Sequence, residues 1–232
     1  MLIACANYSF VALIDISFRT LQPVFFSTPI ALGGLGLDPP VIGTIMAFSG
    51  ALNGAFTIFF FSRMTDYFGV KLVYLMGMAA AVPCFSLFPI LNLLARNSIE
   101  RSGGLGLEVW VAVGLQVVMV VLNSMCCGTS IHSNEVKLPL ELFPPPVVSG
   151  AVFIFIAAAS PSKASLGATN GLTQLSVALV RTVGPALVSS MYSLSIDRYM
   201  NGGLVYCMAV GLSLGAVWVG LLLPRHPWKD IN

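Results

Sequence analysis

The sequence has very little charge, and this shortage excludes several classes of protein. Only 9% of its 232 residues are charged, whereas 57% are hydrophobic. Soluble globular proteins carry roughly 25% charged residues, so a water-facing surface cannot be built from this chain. Disordered proteins and coiled coils need still more charge. Nucleic-acid binding needs many basic contacts to phosphate, so we expect no nucleic-acid partner.

Residues and motifs for catalysis and metal binding are also scarce. The sequence has 2 histidines, His132 and His226, and both lie outside the long apolar segments. It contains no HExxH or GxSxG motif, no Walker A loop and no metal-ligand spacing among its cysteines. The side-chain groups for metal-dependent or serine-type hydrolysis are therefore missing. We predict that the protein is not an enzyme and that it has no metal or other cofactor.

Long apolar segments account for most of the chain. A helix needs about 20 apolar residues to cross a bilayer, and only helices satisfy every backbone group of an open chain in lipid. We therefore predict an all-α integral membrane protein whose partner is the lipid bilayer, with a single six-helix domain over 1–232. The six predicted transmembrane helices are 2–27, 39–61, 70–94, 109–128, 164–196 and 204–223.

The basic residues between these segments predict the orientation in the membrane. One side, which also holds both termini, carries Arg63, Lys71, Lys137, Lys163, Arg225 and Lys229. The other side carries Arg96, Arg101 and Arg198. Because cytoplasmic loops carry an excess of lysine and arginine, we predict that both termini are cytoplasmic. The sequence does not distinguish a plasma membrane from a vacuolar membrane.

One segment does not fit the pattern of spans. Residues 129–150 are first polar and then rich in proline, and 144–146 are three successive prolines that cannot continue a helix. The apolar piece that follows, 151–159, is too short to cross a bilayer. We interpret 129–150 as an irregular insertion into a helix, either a retained intron or a lineage-specific loop.

Polar side chains inside the predicted spans are the best indication of function, because each is costly in lipid. Four spans carry such residues on one helical face, whereas the third and sixth do not and are predicted to be peripheral. Tyr8 and Gln22 share the face of Asp15 and Arg19, and Ser49 lies one turn from Asn53. The candidates for a substrate or proton pathway are Asp15, Arg19, Asn53, Gln116, Asn123, Asn170, Gln174 and Arg181.

Structural roles compete with functional roles for these residues. Asn53, Gln116 and Asn123 could form hydrogen bonds between helices. Asp15 and Arg19 are four residues apart and could form a self-neutralising structural pair. Arg181 has no acidic residue within one turn of its own helix. Its counter-charge must come from another helix, from water or from a substrate, so a functional role is favoured.

The segment between the second and third spans resembles a known loop. It reads SRMTDYFGVK, residues 62–71. In the major facilitator superfamily, the loop between the second and third helices of each half follows roughly Gly-x-x-x-Asp-Arg-x-Gly-Arg-Lys. Asp66, Gly69 and Lys71 match this pattern, whereas the residues at 62, 67 and 70 depart from it. The strings at 27–43, 159–174 and 178–196 look like the C-terminal half of fungal general-substrate and zinc-induced-facilitator-like transporters.

This resemblance implies an architecture and a set of partners. The six spans would be the seventh to twelfth helices of a twelve-helix transporter, with each half a 3+3 inverted repeat. Arg63, Asp66, Gly69 and Lys71 would form a gating loop against the other half. The N-terminal half would be missing, so we expect a separate N-terminal half or a homo-oligomer, a small-molecule substrate and protons as the coupling ion.

Two hypotheses for function follow. The first is transport of a small solute by alternating access, with this chain as the C-terminal half of a secondary transporter. The alternative is a non-transporting membrane scaffold or regulatory subunit derived from half a transporter. They differ in whether a second half exists to complete the cavity.

Overall fold

The computed structural model describes residues 2–124, 166–199 and 203–221, and this part of the chain contains helices and loops but no strand. The all-α prediction is therefore confirmed for the described residues, whereas the predicted insertion at 129–150 lies outside them. The helices are α1 (Leu2–Ser27), α2 (Pro39–Phe56), α3 (Ser62–Phe68), α4 (Val70–Ser102), α5 (Leu107–Asn123), α6 (Leu166–Tyr199) and α7 (Gly203–Leu221). A 3-10 turn, Ile30–Leu32, follows α1, and a π-helical turn, Thr57–Phe61, joins α2 to α3.

Four of the described helices are long and apolar enough to cross a membrane. They contain the segments Ala6–Ser27, Lys71–Arg101, Gly167–Ile196 and Gly203–Leu221. The other two predicted spans correspond to α2 and α5, which have 18 and 17 residues. Length and composition thus support four of the six predicted spans.

Helix α4 is longer than the sequence predicts. Its predicted end was residue 94, but the helix runs through Pro83 and Pro89 and continues to Ser102. Hydropathy marks where the apolar residues stop, whereas the backbone remains helical until a residue interrupts it. That residue is Gly103, whose φ of 72° lies in the left-handed region and whose N–H caps the carbonyl of Ile99.

The core lies where α1, α4 and α7 pack together. Its centre is a cluster of aromatic rings that includes Phe25 on α1, Phe88 on α4 and Tyr206 on α7. The rings of Phe25 and Phe88 meet edge to face at 4.9 Å, and those of Phe88 and Tyr206 stack at 5.4 Å. The third and sixth predicted spans, which the sequence places at the periphery, therefore help to form the hydrophobic core.

A polar clamp fixes the connection between α1 and α2. The buried Asn92 on α4 donates hydrogen bonds to the carbonyl oxygens of Gly34, at 2.8 Å, and Ile30, at 3.1 Å. One turn further along, Arg96 donates to the carbonyl oxygen of Ala31 at 3.2 Å. These bonds satisfy loop carbonyls that would otherwise lose their hydrogen bonds on burial. They also hold the loop that leads toward α2 against α4.

Candidate functional site

A cavity of about 470 Å³ is lined by residues of α1, α2, α4, α5 and α6. Five of the candidates identified from the sequence lie in its wall, namely Asp15, Arg19, Asn53, Asn123 and Arg181. Its other polar residues are Gln22, Ser49, Thr57 and Ser124, and its apolar surface includes Phe18, Met46, Met78 and Val120. The sequence candidates in this cavity thus come from four helices, α1, α2, α5 and α6.

Helix periodicity explains why α1 contributes three of these side chains. Asp15, Arg19 and Gln22 are spaced by four and three residues, which places them on one face of an α-helix. Phe25 and Leu21, in contrast, are buried in the core. Helix α1 therefore contributes polar side chains to the cavity and apolar side chains to the core.

Asp15 and Arg19 form the ion pair that their spacing predicts. The Nε of Arg19 lies 2.9 Å from Oδ1 of Asp15, and the side chains are 66% and 27% exposed respectively. An ion pair this exposed contributes little to stability. Its main effect is to neutralise the acidic residue that lines the cavity.

Arg181 is the second basic residue of the cavity wall. It is exposed on α6, and within 2–124, 166–199 and 203–221 it forms no ion pair and no hydrogen bond. The cavity lining therefore holds two arginines and one aspartate, which gives a net charge of +1.

Asn53 and Ser124 connect two walls of the cavity. The hydroxyl of Ser124, which follows α5, donates its hydrogen to Oδ1 of Asn53 on α2 and shares it with the carbonyl oxygen of Val121, at 2.6 Å. Asn53 thus forms one of the interhelical hydrogen bonds that the sequence left open as a structural role. Because its oxygen accepts this bond, its NH₂ group remains available as a donor.

Three candidates do not line the cavity. Gln116 is completely buried in α5, and its amide nitrogen and oxygen have no hydrogen-bond partner in the described part of the chain. Asn170 and Gln174 are exposed on α6. A shared helical face does not imply a shared depth: Asn170 and Arg181 are separated by about 16 Å along the helix axis at 1.5 Å per residue.

Four polar residues line the cavity without being sequence candidates. Gln22 and Ser49 share the faces of candidates in α1 and α2, so their spacing was the available signal. Gln22 is buried, and its amide nitrogen has no hydrogen-bond partner among the residues described. Thr57 and Ser124 lie at helix ends, where periodicity within a span carries no signal.

The predicted gating loop is mostly helical. Arg63 is exposed on α3, and Asp66 belongs to the same short helix. Gly69 has a φ of 81°, a conformation that favours glycine, and it separates α3 from α4. Lys71 donates a hydrogen bond from Nζ to the carbonyl oxygen of Leu221, at 3.0 Å. This bond ties the start of α4 to the end of α7.

The described residues do not form a metal site of the usual kind. No group of three or more His, Cys, Asp or Glu side chains comes together in the ranges that the structure covers. The chemistry of the cavity is therefore that of guanidinium, carboxylate, amide and hydroxyl groups.

Two curated fungal proteins are similar in sequence to most of this chain. A major facilitator superfamily multidrug transporter, mfsB of Aspergillus fumigatus, is 26% identical over 200 residues, which covers 82% of this chain and 28% of mfsB. A major facilitator-type transporter, psiT2 of Psilocybe cyanescens, is 23% identical over 218 residues, which covers 94% of this chain and 38% of psiT2. No protein-family model matches the chain. No solved structure matches it at a significant level.

The chain spans less than two fifths of the length of either relative. Both relatives are named as transporters rather than enzymes. Their names and the four long apolar helices together support an integral membrane protein. Over most of its length, the chain is thus similar to part of two fungal major facilitator superfamily transporters, in agreement with the resemblance seen in its sequence.

Proposed function

We propose that this chain takes part in the transport of a small solute across a membrane and that the cavity is part of the solute's path. The observation that carries the proposal is that Asp15, Arg19, Asn53, Asn123 and Arg181 line one cavity from four helices. Charged and amide side chains are costly within membrane helices, and they mark the paths of substrates and ions. Relatives named as transporters support the same function.

We further propose a single domain of six spans with both termini cytoplasmic, arranged as one 3+3 half of a twelve-helix transporter. The 18 residues of α2 and the 5 of the following π turn form one continuous segment, Pro39 to Phe61. At 1.5 Å per residue it is about 34 Å long, which matches a hydrocarbon core of about 30 Å. The predicted fourth span continues past α5 into residues outside the described part.

The surface of α6 supports a second half. In the apolar, membrane-spanning stretch of α6 only 22% of the residues are buried inside the protein, against 56% in that of α4. Its exposed residues include Asn170, Gln174 and Arg181, and polar side chains of membrane helices rarely face lipid. We propose that a second six-helix half, either an N-terminal half or another copy of this chain, covers this surface and completes the cavity for alternating access.

The segment around α3 would then control access to the cavity. Asp66, Gly69 and Lys71 retain the acidic, glycine and basic positions of the gating loop that the resemblance implies, and Arg63 lies in the same loop at a position that the pattern leaves open. The bond from Lys71 to Leu221 couples the start of α4 to the end of α7. Movement of this segment would therefore be transmitted to two core helices.

The proposal is tested by solute counterflow in proteoliposomes. The protein is prepared as the full chain alone and as a fusion behind the N-terminal half of the Aspergillus mfsB relative, with that half alone as the control. Three labelled solutes cover three charge classes: 4-toluenesulfonate as an anion, glucose as a neutral solute and tetraethylammonium as a cation. Saturable counterflow of at least one solute, absent from the N-terminal half alone, is expected from the fusion or from the chain as a homo-oligomer.

The same assay separates transport from the alternative function. If the chain inserts into the membrane and neither form carries any of the three solutes saturably, the proposal of transport fails. A non-transporting scaffold or regulatory subunit would then be the better account of a half-transporter chain.

A further inference from the structure

The charges of the cavity wall indicate which class of solute it accepts. Asp15 is the acidic residue in the lining, and its carboxylate is paired with Arg19 at 2.9 Å. Arg181 adds a second guanidinium to the same wall. We infer that the cavity binds a small organic anion and that Arg181 contacts its anionic group. The inference rests on the proposed role of the cavity as a solute path.

Arg181 is suited to this contact because its charge is not neutralised within the chain described here. It forms no ion pair or hydrogen bond with the described residues, and its side chain is exposed at the cavity. An arginine within a membrane helix requires a counter-charge or water. Its planar guanidinium offers donors in a fork that matches a carboxylate, sulfonate or phosphate group. A bound anion would supply the missing counter-charge.

The rest of the lining fits an anion with an apolar body. Phe18, Met46 and Met78 add an apolar surface to the same lining. The side-chain oxygen of Asn53 accepts the bond from Ser124, so its NH₂ group can donate a hydrogen bond to the anion. A volume of about 470 Å³ falls within the range of small-molecule sites, about 300–1,000 Å³.

Cationic and neutral solutes fit this arrangement less well. A cation would meet two guanidinium groups, whereas the carboxylate of Asp15 is already engaged by Arg19. A neutral solute would leave the charge of Arg181 without a counter-ion. An anion is the class that improves the charge balance of the wall.

The test compares three ligands with the same tolyl ring and different charge. The probes are 4-toluenesulfonate, 4-toluenesulfonamide and 4-tolyltrimethylammonium, and binding to the full chain in lipid nanodiscs is measured by scintillation proximity. We expect the sulfonate to bind at least about tenfold more tightly than the other two, because a hydrogen bond to a charged group is stronger than one to a neutral group. Arg181→Gln should weaken sulfonate binding by about tenfold and so remove this preference. Arg181→Lys, which keeps the charge, should retain part of it.

A matched control variant makes the test specific to the cavity. Arg101→Gln removes an exposed arginine at the end of α4, outside the cavity lining, and should leave all three affinities unchanged. Equal affinity for the three probes, or a preference for the sulfonate that survives Arg181→Gln, would overturn the inference.

The two proposals fail in different ways. Saturable counterflow of glucose or tetraethylammonium without sulfonate binding would overturn the anion inference and leave the transport function standing. The absence of both binding and counterflow would overturn both.

Discussion

Ser124 and Asn53 are 71 residues apart in sequence, yet the Ser124 hydroxyl donates a hydrogen bond to the Asn53 side-chain oxygen. Both residues line the cavity, so the bond links the end of α5 to α2 at the site itself. It also sets the orientation of the Asn53 amide. A contact that stabilises the helix pair therefore also positions a donor toward the proposed solute path.

This bond should appear as a measurable coupling between the two residues. Asn53→Ala, Ser124→Ala and the double variant form a cycle whose free energies of unfolding can be measured by denaturation in mixed micelles. We expect a coupling energy of about 0.6 kcal/mol and at most about 1.7 kcal/mol, the range for interhelical hydrogen bonds in membranes. Ser176→Ala combined with Asn53→Ala serves as the matched control cycle. The Ser176 hydroxyl donates to the carbonyl oxygen of Leu172 within α6, so it should not couple to Asn53. Strict additivity for Asn53 and Ser124 would contradict the structure.

The connection after α1 should not tolerate a side chain at Gly34. A Cβ there would lie 2.5 Å from the carbonyl oxygen of Phe25 and 2.6 Å from Cβ of Thr28. The Phe25 carbonyl is held by the N–H of Leu35 at 3.1 Å, so it cannot move aside without losing that bond. Gly34→Ala should lower the free energy of unfolding by about 1–3 kcal/mol, the usual cost of overpacking.

Gly43 is the matched control for this prediction. A Cβ at Gly43 in α2 meets nothing within 4 Å. Gly43→Ala should therefore be neutral or stabilising by up to about 1 kcal/mol, because alanine has a higher helix propensity than glycine. Thermal unfolding in detergent compares the two variants, and equal melting temperatures would show that the Gly34 backbone is less constrained than described.

Asp15→Asn should impair transport rather than folding. The Arg19 side chain of the broken pair is 66% exposed, so the pair contributes little to stability. Protein abundance should therefore stay near normal. The change frees Arg19 and raises the net charge of the lining from +1 to +2. We expect the sulfonate probe to bind more tightly and its counterflow to fall by about tenfold, as stronger ground-state binding slows release.

Glu108 provides the control for this variant. It is exposed in the first turn of α5 and does not line the cavity, so Glu108→Gln should leave counterflow unchanged. If Asp15→Asn protein is degraded while the remaining molecules transport normally, the pair with Arg19 is structural and the role proposed for it is wrong.

The proposed topology makes a separate prediction. Tags at both termini should be accessible only from the cytoplasm, whereas an inserted loop that carries a glycosylation acceptor at 99–104, where α4 ends, should be modified on the opposite side. The same acceptor inserted at 62–71 should remain unmodified, because that segment is proposed to be cytoplasmic. Glycosylation at 62–71, or at the C-terminus, would overturn the arrangement of six spans.

The sequence by itself determined the helical class and the approximate limits of the described spans. Burial of backbone groups in lipid leaves few alternatives to a helix, so apolar runs identify helices reliably. The first predicted span, 2–27, agrees with α1 at both ends. The end of α4 was missed by eight residues, from 94 to 102, because polarity rises there before the helix stops at Gly103. The ion pair of Asp15 and Arg19 was also predictable, since its spacing is local.

The tertiary structure alone decided which polar residues meet. Helical faces grouped Gln116 with Asn123 and Asn170 with Arg181, but only the second member of each pair lines the cavity. Periodicity reports an angle around one helix axis, whereas a cavity depends also on depth and on which helices are neighbours. The link from Ser124 to Asn53 arises from the packing of α5 on α2. Such contacts between distant segments are set by the packing of the whole bundle, which no single span specifies.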